Sequence, residues 1–301
     1  MGSIVTFYSF KGGVGRTMAL ANIAVCLAQM GEKVLMVDWD LEAPGLPRYF
    51  DDYSKHGNSD SGLLDLLSEA KNIESPSALK WRNYVSSIHL EQGQSIDLIS
   101  SGTADKDYAG KVLDFEWDTF FQDFNGGEII EHLRDEWRTQ YDFVLIDSRT
   151  GITDSGGICT IQLPDILAVV FTANSQSLYG VKDIVVKAQQ ARQYLAFDRS
   201  PFLVLPIPSR FDGRTEYEES QKWLNKFSEE LKAFYSDWIS KETSPLEIIE
   251  KNKLPYVGFF SFGEKLPVVL EGTSDPESLG HAYWVNANLY LAPFLISLVR
   301  P

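Results

Sequence analysis

Cysteine is nearly missing from this 301-residue chain: there are two, Cys26 and Cys159, and no CxxC pair. That excludes a disulfide framework and a thiolate-held metal, and it suits a reducing cytoplasm. Neither cysteine has the surroundings of a nucleophile or a ligand. The four histidines, at 56, 89, 132 and 281, are scattered without metal-ligand spacing. Basic residues are also short. Lys and Arg total 27 against 42 Asp and Glu, for a net charge of −15. Such a surface repels phosphate backbones, so direct DNA binding is not expected. A local basic group at Arg199, Arg210 and Arg214 is the one feature against that reading. No window approaches the roughly 18 apolar residues of a membrane-spanning helix, so membrane insertion is not expected either. No repeat or long low-complexity linker is present. The N-terminus runs directly into a strand-like segment, which argues against a signal peptide. "MGSIVT" carries the myristoylation pattern at Gly2 and Thr6. A buried strand starting there could not release its end to a membrane. The expected location is cytoplasmic.

What the chain has in quantity is apolar residues, 44% of the total, enough for one large domain or two small ones. Apolar runs at 4–10, 33–38, 142–147, 166–172 and 202–208 read as buried parallel strands, which are hydrophobic throughout rather than alternating. Helical patterns lie at 17–30, 126–140, 179–196 and 214–239. Strands alternating with helices predict an α/β fold: a doubly wound, mostly parallel sheet covered on both faces. The stretch 51–125 is less regular. It holds a polar loop (51–62), a helix start (63–70), a strand (95–102) and an aromatic, acidic segment, "DFEWDTFFQDF" (114–124). Those aromatics pack locally or form a partner surface. We treat 51–125 as an elaboration of a single domain spanning 1–301, with a C-terminal helical segment at about 277–301.

The first strand exits into "KGGVG" (11–15) and re-enters as "RTMALANIAVCLAQM" (16–30). Gly12, Gly13 and Gly15 can take backbone angles closed to other residues. Successive N–H groups around Val14 can then turn toward one anion. The following helix N-terminus adds unpaired N–H groups and partial positive charge. Thr17 stands where a hydroxyl can reach Mg2+. The loop departs from the common G-x-x-x-x-G-K-[ST] pattern: Phe10 takes the first glycine's place, Arg16 the lysine's, and a lysine appears early, as Lys11. Arg16 is a planar fork able to grip phosphate oxygens bidentately.

Two further segments bring carboxylates. In "VLMVDWDLEAPGL" (34–46), Asp38 and Asp40 follow a buried strand, where open α/β sheets place their ligands. They share one face if the strand continues. One can hold a magnesium shell while the other orients a water, Asp40 being favoured for the water. In "YDFVLIDSRTGITD" (141–154), Asp147 ends an apolar run, and Gly151 follows four residues on. Such a segment can sense a terminal phosphate through the glycine N–H and shift when it leaves.

Together these segments resemble the deviant Walker A P-loop ATPases, the MinD/ParA-like family, whose loop reads K-G-G-x-G-K-[ST]. Lys11, Gly12, Gly13, Gly15 and Thr17 match it. The "VDWD" segment (37–40) matches the family's second acidic motif, and Asp147 with Gly151 its Walker B and switch segment. The likeness runs in order from about residue 3 to 210, loosely across 51–125. It implies ATP and Mg2+ as cofactors, with Thr17, Asp38 and Asp147 toward the metal. It also implies an ATP-sandwiched homodimer in which Lys11 reaches the partner's phosphates. Adenine rests on the likeness alone, because the family's base-reading asparagine is absent near 205–212 and Arg210 stands there instead. The spelling "KGGVGRT" with "FGEKLPV" (262–268) is similar to a bacterial branch whose members often accompany signalling or anti-phage modules. MinD ends in a basic amphipathic membrane helix. Here "NANLYLAPFLISLVRP" (286–301) has one basic residue, Arg300, so it reads as core packing or a partner dock.

The leading expectation is a Mg-ATP-dependent dimerising ATPase switch read by a partner protein. A nucleotide-binding scaffold with little turnover is the first alternative. A superfamily transferase or ligase, or a tyrosine kinase, is the second. A kinase of this type needs a terminal tyrosine cluster, which Tyr283 and Tyr290 do not make.

Overall fold

The computed structural model describes residues 1–53, 61–91, 93–103, 106–150, 157–195, 199–213 and 215–291. Gly151, Arg214 and the tail 292–301 therefore lie outside the described residues. Seven strands form one sheet: β1 (Ser3–Tyr8), β2 (Val34–Asp38), β3 (Ser86–His89), β4 (Ser95–Ile99), β5 (Phe143–Asp147), β6 (Ile166–Phe171) and β7 (Leu203–Pro208). Their order is β3-β4-β2-β5-β1-β6-β7. All neighbours pair parallel except β3 with β4. The expected doubly wound parallel sheet is thus observed, with one antiparallel edge strand added.

The apolar runs form strands because both faces of the sheet are covered. On one face Val5, Phe7, Val34, Met36, Phe143 and Leu145 join a core containing α1 (Arg16–Gln29). On the other, Ile4, Leu35, Val37, Val144 and Ile146 join a second core with α2 (Leu63–Ala70). Alternation along each strand divides the two sets. Two short helices, α3 (Tyr108–Leu113) and α4 (Trp117–Asp123), lie in the 51–125 region. The 114–124 aromatics pack locally: Phe115, Trp117 and Phe120 stack with centroids 4.6 to 6.2 Å apart. The second core also takes α5 (Gly126–Gln140), whose Ile129, Ile130, Leu133 and Trp137 are buried.

A buried ion cluster fastens α5 to the end of the sheet opposite the loop. Asp165 accepts from the Ile4 backbone N–H at 2.9 Å and pairs with Arg134, which also donates to the Leu163 carbonyl at 3.1 Å. The Gly2 N–H donates to the Arg138 carbonyl at 2.7 Å, so the N-terminal segment is held in the fold.

Helix α6 (Ser175–Arg192) starts four residues earlier than expected. The Asn174 side chain caps it by accepting from the Ser177 N–H at 2.8 Å, a standard device for satisfying a free helix donor. The expected helix 214–239 is broken into α7 (Tyr217–Glu230) and α8 (Lys232–Tyr235). The break at Leu231 lets Tyr235 and Trp238 turn under β7, where the Trp238 indole donates to the Val204 carbonyl at 2.9 Å. Helices α9 (Pro245–Asn252), α10 (Pro267–Leu270) and α11 (Leu279–Leu291) complete the chain. The Asn22 side chain of α1 accepts from the Val268 N–H at 3.1 Å. Tyr290 lies edge-on to Phe7 at 6.3 Å. The described part of the C-terminal segment is therefore core.

Candidate functional site

The chain leaves β1 at its carboxyl end and crosses over β5 to reach β2. Connections diverge on the two sides of β1, and that divergence opens a crevice at the strand ends. The loop 11–15 spans it. Gly13 (φ 74°) and Gly15 (φ 89°) are left-handed, as glycine permits; Gly12 is not, contrary to the expectation for all three. A methyl group added at Gly12 or Gly13 would meet nothing within 4 Å. Val14 is buried and anchors the loop, while Lys11 is partly exposed with its carbonyl accepting from the Ser9 hydroxyl at 3.0 Å. Among the described residues Lys11 makes no ion pair. Phe10 packs its ring on α6 at Gly180, where any side chain would overlap it.

The three carboxylates converge here. Asp38 ends β2 and is in register with Asp147, which ends β5. By alternation both point to the face that carries α1, and the intervening Trp39 turns into the opposite core. Asp40 returns to the same side, as the sequence implied. Arg16 and Thr17 begin α1 directly opposite. The Arg16 Nε donates to Asp147 Oδ1 at 2.5 Å and its Nη2 to Asp40 Oδ2 at 2.8 Å. The Thr17 hydroxyl donates to Asp147 Oδ2 at 2.7 Å. Asp38 is fully buried and, among the described residues, accepts only backbone N–H groups, from Asp40 and Leu46, each at 3.3 Å.

Burial shapes the electrostatics. It pushes Asp38 well above the usual carboxylate range, with the charges of Asp147 and Asp40 adding to the effect. Burial also raises Asp147, against the lowering pull of Arg16 and Thr17. Burial works against the Arg16 charge as well, but Asp147 and Asp40 outweigh it, so its pKa rises. Three buried carboxylates face one guanidinium, an excess of negative charge that suits a divalent cation. Thr17, Asp38 and Asp147 are hard oxygen donors of the kind magnesium takes. The residues present therefore fit a magnesium nucleotide: N–H groups and an open loop for phosphates, oxygens for the metal.

The Arg16 side chain also departs from expectation: its fork is able to grip phosphate, but its guanidinium faces the carboxylates. Gly151 cannot be placed, since it lies outside the described residues. Arg210 follows Ser209, whose hydroxyl lies 3.4 Å from where a side chain at Gly15 would begin. Arg210 is thus next to the loop, exposed and left-handed at φ 51°. Sequence reasoning missed two contacts that flank the motifs. Glu42, two residues past Asp40, pairs with Arg149, two past Asp147. The Tyr108 hydroxyl donates to the Leu41 carbonyl at 2.9 Å and steadies the same loop. The only hint in the sequence was opposite charge at equal spacing from the two aspartates. A cavity of about 850 Å3 opens beside that loop, lined by Leu41, Pro44, Arg48, Leu98 and Tyr108. No described helix is long and apolar enough to cross a membrane.

The chain resembles known proteins in sequence and in fold. A family model described as an AAA domain matches residues 2–198. A putative tyrosine-protein kinase, EpsB of Ralstonia solanacearum, is 27% identical over 179 residues, covering 60% of this chain and 18% of EpsB. The septum site-determining protein MinD of Helicobacter pylori is 29% identical over 179 residues, 59% of this chain and 56% of MinD. The matched segments thus span less than two thirds of either relative. The structure of MinD complexed with Mg-ADP from Pyrococcus horikoshii superposes with a TM-score of 0.62 at 18% identity, covering 100% of both chains. The chain belongs to the AAA-domain family, with the fold of MinD-like P-loop ATPases.

Proposed function

We propose that the chain is a Mg-ATP-dependent ATPase switch that dimerises on ATP and presents its nucleotide state to a partner protein. The observation that carries this reading is the meeting of Arg16, Thr17, Asp38, Asp40 and Asp147 beneath a glycine loop at one end of the sheet. The loop N–H groups and the α1 N-terminus hold the phosphates. Thr17, Asp38 and Asp147 would hold Mg2+, which when bound neutralises charge on the phosphate oxygens. Asp40, at the mouth of the cluster, accepts a proton from a water and orients it. Lys11, half-buried at the start of the loop, is the residue that the family resemblance has reach a second chain's phosphates. The Glu42–Arg149 pair couples the loops after Asp40 and Asp147, so a shift in one is felt by the other.

Phosphate release tests the catalytic part. Asp38→Ala and Asp40→Ala should each lower the rate by about 10²-fold or more, in line with loss of a charged positioning group. Wild-type rates in both variants would remove these residues from the site. A scaffold with little turnover is the second reading, and the Arg16 ion pairs favour it, because they occupy the group that would steady the transferring phosphate. It prevails if the wild-type chain binds Mg-ATP yet releases no phosphate. The likeness to EpsB raises a kinase, but Tyr283 and Tyr290 are buried in the core and cannot serve as surface acceptors. A role in anti-phage signalling rests on the family branch and is tested by co-purification of a partner in the ATP-bound state.

A further inference from the structure

We infer that Arg16 is a built-in counter-cation: it closes the carboxylate cluster, and a divalent metal competes with it for that place. The inference rests on the proposed function, since it concerns what must happen before Mg-ATP is bound. Its basis is where the guanidinium goes. Arg16 is the first residue of α1 and could point to the phosphate loop. Instead its Nε and Nη2 are spent on Asp147 and Asp40, with the side chain only 7% exposed. Its Nη1 is buried without a hydrogen-bond partner among the described residues. Both Asp147 oxygens are engaged, one by Arg16 and one by Thr17. Among the described residues no three carboxylate, imidazole or thiol groups are gathered so as to hold a metal. The oxygen set fits magnesium in chemistry but is held shut by a cation of the protein's own.

Two consequences follow. Metal alone must displace the guanidinium and leave it buried and unpaired. Nucleotide alone must draw the guanidinium off and leave carboxylates buried and unpaired. Either half-exchange is costly in a buried site. Together they complete an exchange, with phosphates taking the guanidinium and metal taking the carboxylates. Metal and nucleotide binding are therefore strongly linked, each raising the other's affinity by the same factor. Arginine performs this better than lysine, because its fork contacts two carboxylates at once through separate nitrogens, whereas an ammonium is a single point charge.

The test uses Mn2+ alone, without nucleotide, on the full chain, with free Mn2+ read by electron paramagnetic resonance and the melting temperature alongside. Arg16→Gln removes the cation but keeps a polar side chain. It should bind Mn2+ at least about tenfold more tightly than wild type, the size of an ordinary coupling. Its melting temperature should rise with Mn2+, while that of wild type should not. Arg16→Lys should fall between them, and it serves if the Gln variant does not fold. A wild-type readout stands beside these: a hydrogen-bonded, slowly exchanging Arg16 Nε–H resonance in the free chain that shifts when Mg-ADP is added. Equal Mn2+ affinity in all three proteins overturns the inference, as does an Nε–H signal unmoved by Mg-ADP. Calorimetry of the wild type with Mg-ATP separates the layers. Binding there with no Mn2+ gain in the variants sinks the counter-cation and leaves the ATPase reading standing. No binding sinks the reading beneath it.

Discussion

Lys11 is the residue whose position says most about whether two chains are involved. It is half-buried and makes no ion pair among the described residues, and the loop after it offers glycine N–H groups and a helix N-terminus without it. If it acts on its own chain, Lys11→Ala should weaken ATP binding strongly. If it acts across a dimer, Lys11→Ala should bind ATP within about tenfold of wild type, a loss of roughly 1.4 kcal/mol or less, yet fail to hydrolyse. Mixing Lys11→Ala with Asp40→Ala sharpens the distinction. In a mixed dimer one site keeps its own Asp40 and receives the other chain's Lys11, so phosphate release should partly return. No rescue, with mixed dimers verified by mass spectrometry, counts against action in trans. Phe10 answers a different question raised by the loop. Its ring fills the space left by the missing side chain of Gly180, so Phe10 replaces the usual first glycine by anchoring the loop to α6. Gly180→Ala should cost about 1–3 kcal/mol by overpacking and weaken ATP binding with it. Urea melts and calorimetry would show both, and Phe10→Leu in the same chain should restore part of each loss.

Helix α1 carries a titration that its burial sets up. Burial pushes the Cys26 thiol up to about 12 from an ordinary value near 9, and it raises Cys159 well above that value. A raised folded value means that the folded chain keeps its proton where the unfolded chain has lost it. Stability from the Cys26 thiol is therefore complete below about pH 9 and declines as pH climbs toward 12, by about 1.4 kcal/mol per pH unit, and Cys159 acts in the same direction. Chemical melts at pH 8, 9 and 10 should show that decline, and a thiol reagent at pH 8 should modify neither cysteine until the chain unfolds. Rapid labelling of Cys26 in the native protein would refute the burial of α1. The elements also differ in how far they could be read in advance. Strands β1, β2, β5, β6 and β7 were legible because burial on both faces makes each a continuous apolar run. Strand β3 was not. It is an edge strand whose one buried residue is Ile88, so Ser86, Ser87 and His89 leave no apolar run to mark it. The start of α6 was missed because its signal is a cap, Asn174, rather than a periodic residue. The break between α7 and α8 is a tertiary effect, set by the docking of Tyr235 and Trp238 under β7.

At the scale of the molecule, the sheet order places the ends of β1, β2 and β5 side by side, and that adjacency makes a site out of three distant motifs. The identity of its members was legible: Thr17, Asp38, Asp40 and Asp147 stand where strand ends and a helix start must bring them. Their pairing was not. Nothing in the spacing of residues 16, 40 and 147 tells that Arg16 faces carboxylates rather than phosphate, because the choice depends on the buried charge gathered by the whole fold. The direct test of the account is calorimetric titration of the wild-type chain with ATP, in the presence and absence of Mg2+. The account predicts saturable binding with Mg2+ and much weaker binding without it. No heat of binding at millimolar ATP with Mg2+ present would contradict it.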